Sequence, residues 1–300
     1  MTPAHRTVVL LGSAGQLAFD LARTCEPGRE PIRLTRTDLD ICNASAVRET
    51  LTRLRPTLVL NCASYNEVDR AEDDRAGAFA VNADAVGTLA AACQALGATF
   101  VHFSTDYVFD GRKNTPYLED DAPGPLSVYA ESKLAGERLA RERCQRAFVI
   151  RVCGLFGVGR RPDARPNFVE TMLRLAASGT PIRVVRDQVL TPSYTLDLAR
   201  KTWRIVTLGA PGIYHLTNGG EISWFDFTRE LFSLRGLQPS LTPVTAAEFG
   251  ARATRPAYSV MGHGRLKALG EDDLRSWRDA LVAYLRERDE LKAGTVRPGS

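Results

Sequence analysis

Five short apolar, β-branched runs recur along the first half of the chain, each separated from the next by a stretch of helical period. The runs occupy residues 7–11, 32–34, 57–61, 99–103 and 147–152. Between them, Leu17, Ala18, Leu21 and Ala22 share one helix face, as do Val47, Leu51 and Leu54. Val86, Leu89, Ala90 and Cys93 do the same, and so do Leu134, Leu139 and Ala140. A strand that is apolar at consecutive residues has both faces buried, which calls for helices on either side of a parallel sheet. Right-handed crossovers then predict an α/β fold with a doubly wound, Rossmann-like parallel sheet.

The rhythm breaks after Val152. Gly154, Gly157 and Gly159 lead into residues 160–166, where three arginines and two prolines mark a domain edge or a binding loop. Helices are predicted over 168–177, 196–208, 224–234 and 274–291, with strands over 182–185 and 212–216. The aromatic residues between Trp224 and Phe232 read as a core-packing helix face. The predicted layout is a dinucleotide-binding domain over 1–153 that also receives 193–218. A smaller C-terminal α/β substrate-binding lobe takes 154–192 and 219–292, and 293–300 form a frayed tail.

Composition excludes several functions. The net charge of +4 is small and dispersed, so neither a nucleic-acid stripe nor a membrane-binding face is expected. The N-terminal apolar run 8–11 is too short for a signal segment or a membrane span, which gives a cytoplasmic expectation. Six cysteines without a C-x-x-C pair, and histidines at 5, 102, 215 and 263, lack metal-ligand spacing; no metal is expected.

Gly12-Ser13-Ala14-Gly15-Gln16-Leu17 follows the first strand and opens the first helix. That is where a glycine turn lets backbone amides reach a pyrophosphate. The ribose-reading position should fall ~20 residues on, in the segment containing Arg36, Asp38, Asp40 and Ile41. Arg36 suits a 2′-phosphate and Asp38 a 2′-hydroxyl; NADPH is the reading adopted, with NADH as the alternative. Helix capping is the competing role for Asp38 and Asp40. Cys62, Ala63 and Ser64 end the third strand with small residues, at the sheet edge a cofactor approaches.

Tyr129 is followed one helical turn later by Lys133, in a chain where all but five of its 39 basic residues are arginine. A lysine placed there is unlike a generic surface charge. An ammonium beside a phenol favours the phenolate, so the pair is expected to exchange a proton close to neutrality and to serve in general acid or base catalysis.

Ser104-Thr105-Asp106-Tyr107-Val108-Phe109-Asp110-Gly111 and Tyr129-Ala130-Glu131-Ser132-Lys133-Leu134-Ala135-Gly136-Glu137 together resemble the extended short-chain dehydrogenase/reductase superfamily. Within it, the chain is similar to the dTDP-4-dehydrorhamnose reductase family over nearly its whole length. Asn167-Phe168-Val169, Asp187-Gln188 and Arg255-Pro256-Ala257-Tyr258-Ser259 add to the likeness. The resemblance implies hydride transfer from a reduced nicotinamide to the C4 ketone of a dTDP-linked 6-deoxysugar. Tyr129 would protonate the alkoxide, Lys133 would hold the nicotinamide ribose, and Thr105 would hydrogen-bond the carbonyl oxygen. Val68, Asp106 and Tyr107 would meet the sugar, and Asn167, Gln188 and Arg255 the nucleotide.

Related dehydratases carry an Asp-Glu acid pair after the Thr. Here Tyr107 takes the Glu position, which favours plain carbonyl reduction. Where the family usually places an aromatic residue the chain has Gly154, so a wider sugar pocket is expected. Ala130 replaces a Gly, His263 a small polar residue, and of the acidic residues some members use for magnesium only Asp20 is found. The partner implied is a small-molecule dTDP-sugar, with a homodimer left open. A regulatory binding subunit of the same fold and a nucleotide-sugar 4-epimerase are the alternatives.

Overall fold

The computed structural model describes residues 7–159 and 166–294. Residues 1–6 of the expected polar N-terminus, all but Pro166 of the arginine-rich loop, and residues 295–300 of the expected tail lie outside the described residues.

Strands β1 (Val8–Leu11), β2 (Ile32–Leu34), β3 (Leu58–Asn61), β4 (Thr99–Thr105) and β5 (Ala147–Val152) lie in the first half. They alternate with helices α1 (Gln16–Arg23), α2 (Ala44–Leu54), α3 (Val68–Ala71), α4 (Arg75–Phe79), α5 (Ala85–Leu96) and α6 (Val128–Arg143). The π-helical stretch Ala80–Asp84 joins α4 to α5, and a 3₁₀ turn, Asp106–Val108, follows β4. The chain then leaves through β6 (Leu155–Phe156), α7 (Phe168–Ser178), β7 (Ile182–Val185) and β8 (Val189–Leu190). It returns with β9 (Ser193–Tyr194), α8 (Thr195–Leu208) and β10 (Gly212–His215). Last come β11 (Ile222–Ser223), α9 (Trp224–Leu234), β12 (Leu241–Val244), α10 (Ala246–Phe249), α11 (Gly264–Ala268) and α12 (Trp277–Lys292).

Six strands form one sheet in the order β10-β5-β4-β3-β1-β2, and every pairing in it is parallel. The doubly wound sheet is therefore present. Both faces are covered, as consecutive apolar residues require. Leu10, Leu60, Val101 and Ile150 pack against Leu17, Leu21, Leu198 and Ile205 of α1 and α8. Val9, Val59, Phe100 and Val149 face Val47, Leu51, Val86 and Leu89 of α2 and α5 on the other side. Residues 75–96 form one helical run with the length and apolarity of a membrane span, and its apolar face lies in this core. A separate core around Phe156, Tyr194, Phe227, Leu231 and Tyr284 joins the short strands to α7, α9 and α12.

Side-chain caps set the helix starts. Ser276 accepts from the Asp279 amide, so the last helix begins at Trp277 rather than at residue 274. Ser127 accepts from the Ala130 amide in the same way and starts α6 at Val128, one residue before Tyr129. His263, unexplained in the sequence, bridges two segments: Nδ1 lies 2.7 Å from Asp272 Oδ1 and Nε2 lies 2.9 Å from Thr217 Oγ1. Asp20, the one candidate carboxylate for magnesium, is fully buried and hydrogen-bonded by Arg23 and Thr195. Among the described residues no group of three His, Cys, Asp or Glu side chains is arranged to hold a metal ion.

Two contacts fix the depth of α6. The Arg151 guanidinium of β5 makes two bonds to Glu137, at 2.9 and 2.7 Å, and both side chains are buried. One residue earlier, Gly136 lies so close to the π-helical stretch that a Cβ there would stand 2.0 Å from the Asn82 carbonyl oxygen. Gly136→Ala is therefore expected to push α6 off the sheet and lower stability by about 1–3 kcal/mol, the usual range for overpacking. Urea unfolding checks it: the midpoint should fall with the slope unchanged.

Candidate active site

The chain leaves β1 outward to β2 and comes back on the other side as β3, so the carboxyl ends of β1 and β3 flank the crevice where such sheets bind ligands. Gly12 stands there with φ +66°, and a Cβ would meet the Ala63 nitrogen at 2.5 Å. Only glycine permits both this backbone and this approach. Gly15 caps α1 without a side-chain bond. The first amides of that helix, from Gln16 onward, are left free for an anion.

A cavity of about 440 Å³ opens from this helix end. Gly15, Gln16, Leu17, Cys62, Ala63 and Ser64 line its cofactor side. Thr105, Asp106, Tyr107, Tyr129, Lys133, Val68, Gly154 and Asn167 line the remainder. The donor set fits a dinucleotide: free amides for the pyrophosphate, small residues along its path, and Tyr129 with Lys133 at the far end. Arg36, Asp40 and Ile41 follow β2 and do not line this cavity. Arg36 is exposed and has no ion-pair partner among the described residues. Asp38 accepts from both the amide and the hydroxyl of Thr35, at 2.8 and 2.6 Å, and so closes the turn after β2; the cap of the next helix is Asn43.

A second cavity, of about 690 Å³, is lined by Gln188 and Arg255 and shares Tyr107 and Trp224 with the first. Asn167 is not brought to it. It accepts from the Glu170 amide as the cap of α7 and donates to the Gly157 carbonyl at 3.1 Å. Arg255 is held by Asp69 through two bonds of 3.0 and 2.8 Å.

Thr105, Tyr129 and Lys133 converge because β4 runs two residues further than its apolar pattern, carrying Thr105 on its last position opposite the first turn of α6. Lys133 Nζ donates to the Phe103 carbonyl at 2.6 Å. Ser132 Oγ donates to the Tyr129 carbonyl at 2.7 Å and accepts from Asn82 at 3.0 Å, which fixes the helix turn itself. Tyr107 meets Tyr129 edge-on, with ring centroids 6.1 Å apart.

Burial decides the protonation states. Tyr129 is 8% exposed, and loss of water pushes its phenol above the ordinary tyrosine value. The nearby Thr105 hydroxyl opposes the rise, and the Asp106 charge adds to it. Lys133 is not among the groups that shift it. Burial therefore works against the ready phenolate that the lysine's spacing led one to expect, and holds the phenol toward its neutral, proton-donating form. Lys133 is itself lowered to about 8 by burial, against the pull of Glu137.

Asp106, 2% exposed, is raised by burial although Ser259, Cys153 and Thr105 all donate to it. Their distances are 2.6, 3.0 and 3.0 Å. The single Thr105 hydroxyl proton is thus directed at Asp106. Ser259 and Cys153 had not been singled out as site residues, since nothing in their sequence neighbourhood shows that they converge on one carboxylate.

Trp224, read as core, does pack half-buried against that core, and it has a second place as well. Its ring lines both cavities and lies on Phe168 with centroids 4.2 Å apart. Gly154, where a wider pocket is expected, lines the first cavity beside this ring. A Cβ there would meet Pro192 Cα at 3.1 Å, Leu190 Cδ1 at 3.2 Å and Trp224 Cη2 at 3.4 Å.

A glycine turn at the sheet's switch point, and a buried phenol one turn from a lysine beside a strand-end threonine, define a nucleotide-dependent oxidoreductase of the short-chain dehydrogenase/reductase type. The sequence profile of the RmlD substrate binding domain family matches residues 6–290. The chain belongs to this family, that of the dTDP-4-dehydrorhamnose reductases. It is 40% identical over 294 residues to a dTDP-4-dehydrorhamnose reductase of Streptomyces griseus, covering 94% of each chain. To the spore coat polysaccharide biosynthesis protein SpsK of Bacillus subtilis (strain 168) it is 38% identical over 282 residues, 94% of this chain and 97% of that one. The crystal structure of dTDP-4-dehydrorhamnose reductase from Bacillus anthracis str. Ames in complex with NADP superposes with a TM-score of 0.90 at 35% identity. That match covers 95% of this chain and 100% of the other.

Activity that depends on the Lys133 cation should be flat in acid and fall as pH rises through about 8, where the ammonium loses its proton. A pH profile of kcat/KM checks it. In Lys133→Arg the plateau drops and the alkaline limb moves upward, because a guanidinium stays charged.

Proposed function

We propose that this chain reduces the 4-keto group of a dTDP-linked 6-deoxysugar with NADPH, with dTDP-L-rhamnose as the product. The observation that carries the reading is the convergence of Thr105, Tyr129 and Lys133 at the end of a cofactor-shaped cavity that adjoins a second one through Tyr107 and Trp224. The names of the relatives support reduction at C4 of a dTDP-sugar. Exposed Arg36 at the end of β2 suits the 2′-phosphate of NADPH.

When bound, NADPH supplies the hydride for C4 of the sugar. Tyr129, kept neutral by burial, gives its proton to the C4 oxygen as charge develops there. Lys133, anchored on the Phe103 carbonyl, sets its ammonium between the tyrosine and the cofactor path and holds the nicotinamide ribose. Thr105 turns its hydroxyl from Asp106 to the ketone oxygen, adding a donor where the oxyanion forms. Tyr107, in the position of an acid, leaves the site without the second proton-transfer group that elimination of water needs. The intact proton path of Tyr129 and Lys133 speaks against a purely regulatory subunit.

Mixing the protein with NADPH and dTDP-4-dehydro-L-rhamnose should consume cofactor fluorescence stoichiometrically with the ketone. Tyr129→Phe is expected to lower kcat by about 10²–10⁴-fold, the range for a general acid. Its affinity for NADPH should change by less than about threefold, under a kcal/mol. Cofactor retained through gel filtration, with sugar interconversion and no net oxidation, would instead mark an epimerase.

A further inference from the structure

Gly154 carries no side chain at the wall of the first cavity, and one there would be both strained and tightly packed. Its φ of +53° strains any other residue, and a Cβ would press on Pro192, Leu190 and Trp224. Trp224 Cη2, from the opposite lobe, is among the atoms nearest to where that Cβ would stand, at 3.4 Å. Trp224 is the first residue of α9, held there by the Ser223 cap, which accepts from the Asp226 amide. From that position the indole reaches past the helix's buried face. Phe227, Leu231 and Phe232 stay in the core, while Trp224 remains half-buried at the cavity wall. Phe168 supports one side of the ring at a centroid distance of 4.2 Å, and Phe227 meets its edge at 6.1 Å.

Of the residues that line the first cavity, Trp224 and Tyr107 also line the second. A nucleotide sugar with its ketone at Tyr129 and its nucleotide in the larger cavity passes between these two rings. Tyr107 belongs to the catalytic turn, leaving Trp224 as the wall that the far lobe contributes.

We propose that Trp224 is the specificity-determining residue of the sugar subsite. Its indole, beside Gly154, packs on the apolar face and C6 methyl of the 6-deoxypyranose. This rests on the 4-ketoreductase reading. An aromatic wall suits a pyranose bearing a methyl at C5, because apolar contact is gained without a buried polar group left unpaired. It disfavours the 6-hydroxyl analogue only by the modest margin such pockets achieve, up to about 10²-fold.

The test compares wild type, Trp224→Ala and Trp224→Phe with the 6-deoxy ketone and NADPH. Trp224→Ala should raise KM for the sugar roughly 30-fold, the scale of a buried aromatic anchor. NADPH affinity should stay as in wild type, and Trp224→Phe should recover most of the loss. A merely structural role would lower kcat and thermal stability together and leave KM alone, which overturns the assignment. Should Trp224→Ala fail to fold, indole fluorescence excited at its red edge decides: dTDP-sugar should change the wild-type signal and leave that of Trp224→Phe unaltered. An equal change in both overturns the proposal. Wild type that turns over the ketone while Trp224→Ala keeps its KM and stability sinks this inference alone. Wild type that never oxidises NADPH with any dTDP-4-keto-6-deoxysugar sinks the reading beneath it as well.

Discussion

A buried ammonium bonded to a strand-end carbonyl holds the site together. Lys133 Nζ donates to Phe103 O across the gap between α6 and β4, two residues before Thr105. That bond fixes the rotation of α6, and the rotation sets the Tyr129 phenol opposite the Thr105 hydroxyl. A hydrogen bond to a charged group is worth about 1.5–3 kcal/mol. Stripping water from an ammonium costs several kcal/mol. Burial wins that balance, and Lys133 is lowered to about 8 as a result. Glu137 lessens the penalty, and it is held in place by the two bonds from Arg151, so the β5 strand stabilises the lysine one residue removed. The Gly136 contact with the Asn82 carbonyl lets the helix come close enough for all of this.

The same desolvation sets the direction of the chemistry. Tyr129 and Asp106 are both pushed toward their neutral forms, and Asp106 is surrounded by neutral donors rather than by a cation. A site whose acids hold their protons is suited to quenching an oxyanion. It is less suited to taking a proton from an alcohol. Trp224 and Tyr107 add aromatic walls to the cavity.

Much of this was legible in the sequence, for identifiable reasons. Strands buried on both faces leave uninterrupted apolar runs, so 147–152 was bounded correctly and the doubly wound sheet followed from it. The glycine turn was readable because Gly12 has to combine positive φ with contact to Ala63. Tyr129 and Lys133 were readable because their spacing is local. Trp224 was hidden, since its spacing to Phe227, Leu231 and Phe232 is that of a core stripe, and only its place at the helix tip turns it outward. The effect of burial on Tyr129 was hidden for a similar reason. A sequence shows which charge stands one turn away, but not how much water the fold removes. Asn167 was expected at the nucleotide and is occupied as a helix cap, a role its position before an amphipathic run already allowed.

The account turns on a phenol that stays protonated because it is buried. Ultraviolet difference titration of the wild-type protein against Tyr129→Phe measures that directly through the tyrosinate band. No ionisation assignable to Tyr129 should appear below pH ~10, the value of a free tyrosine. A tyrosinate signal that grows in near neutrality and vanishes in the variant would contradict it, and would return the site to a lysine-driven phenolate.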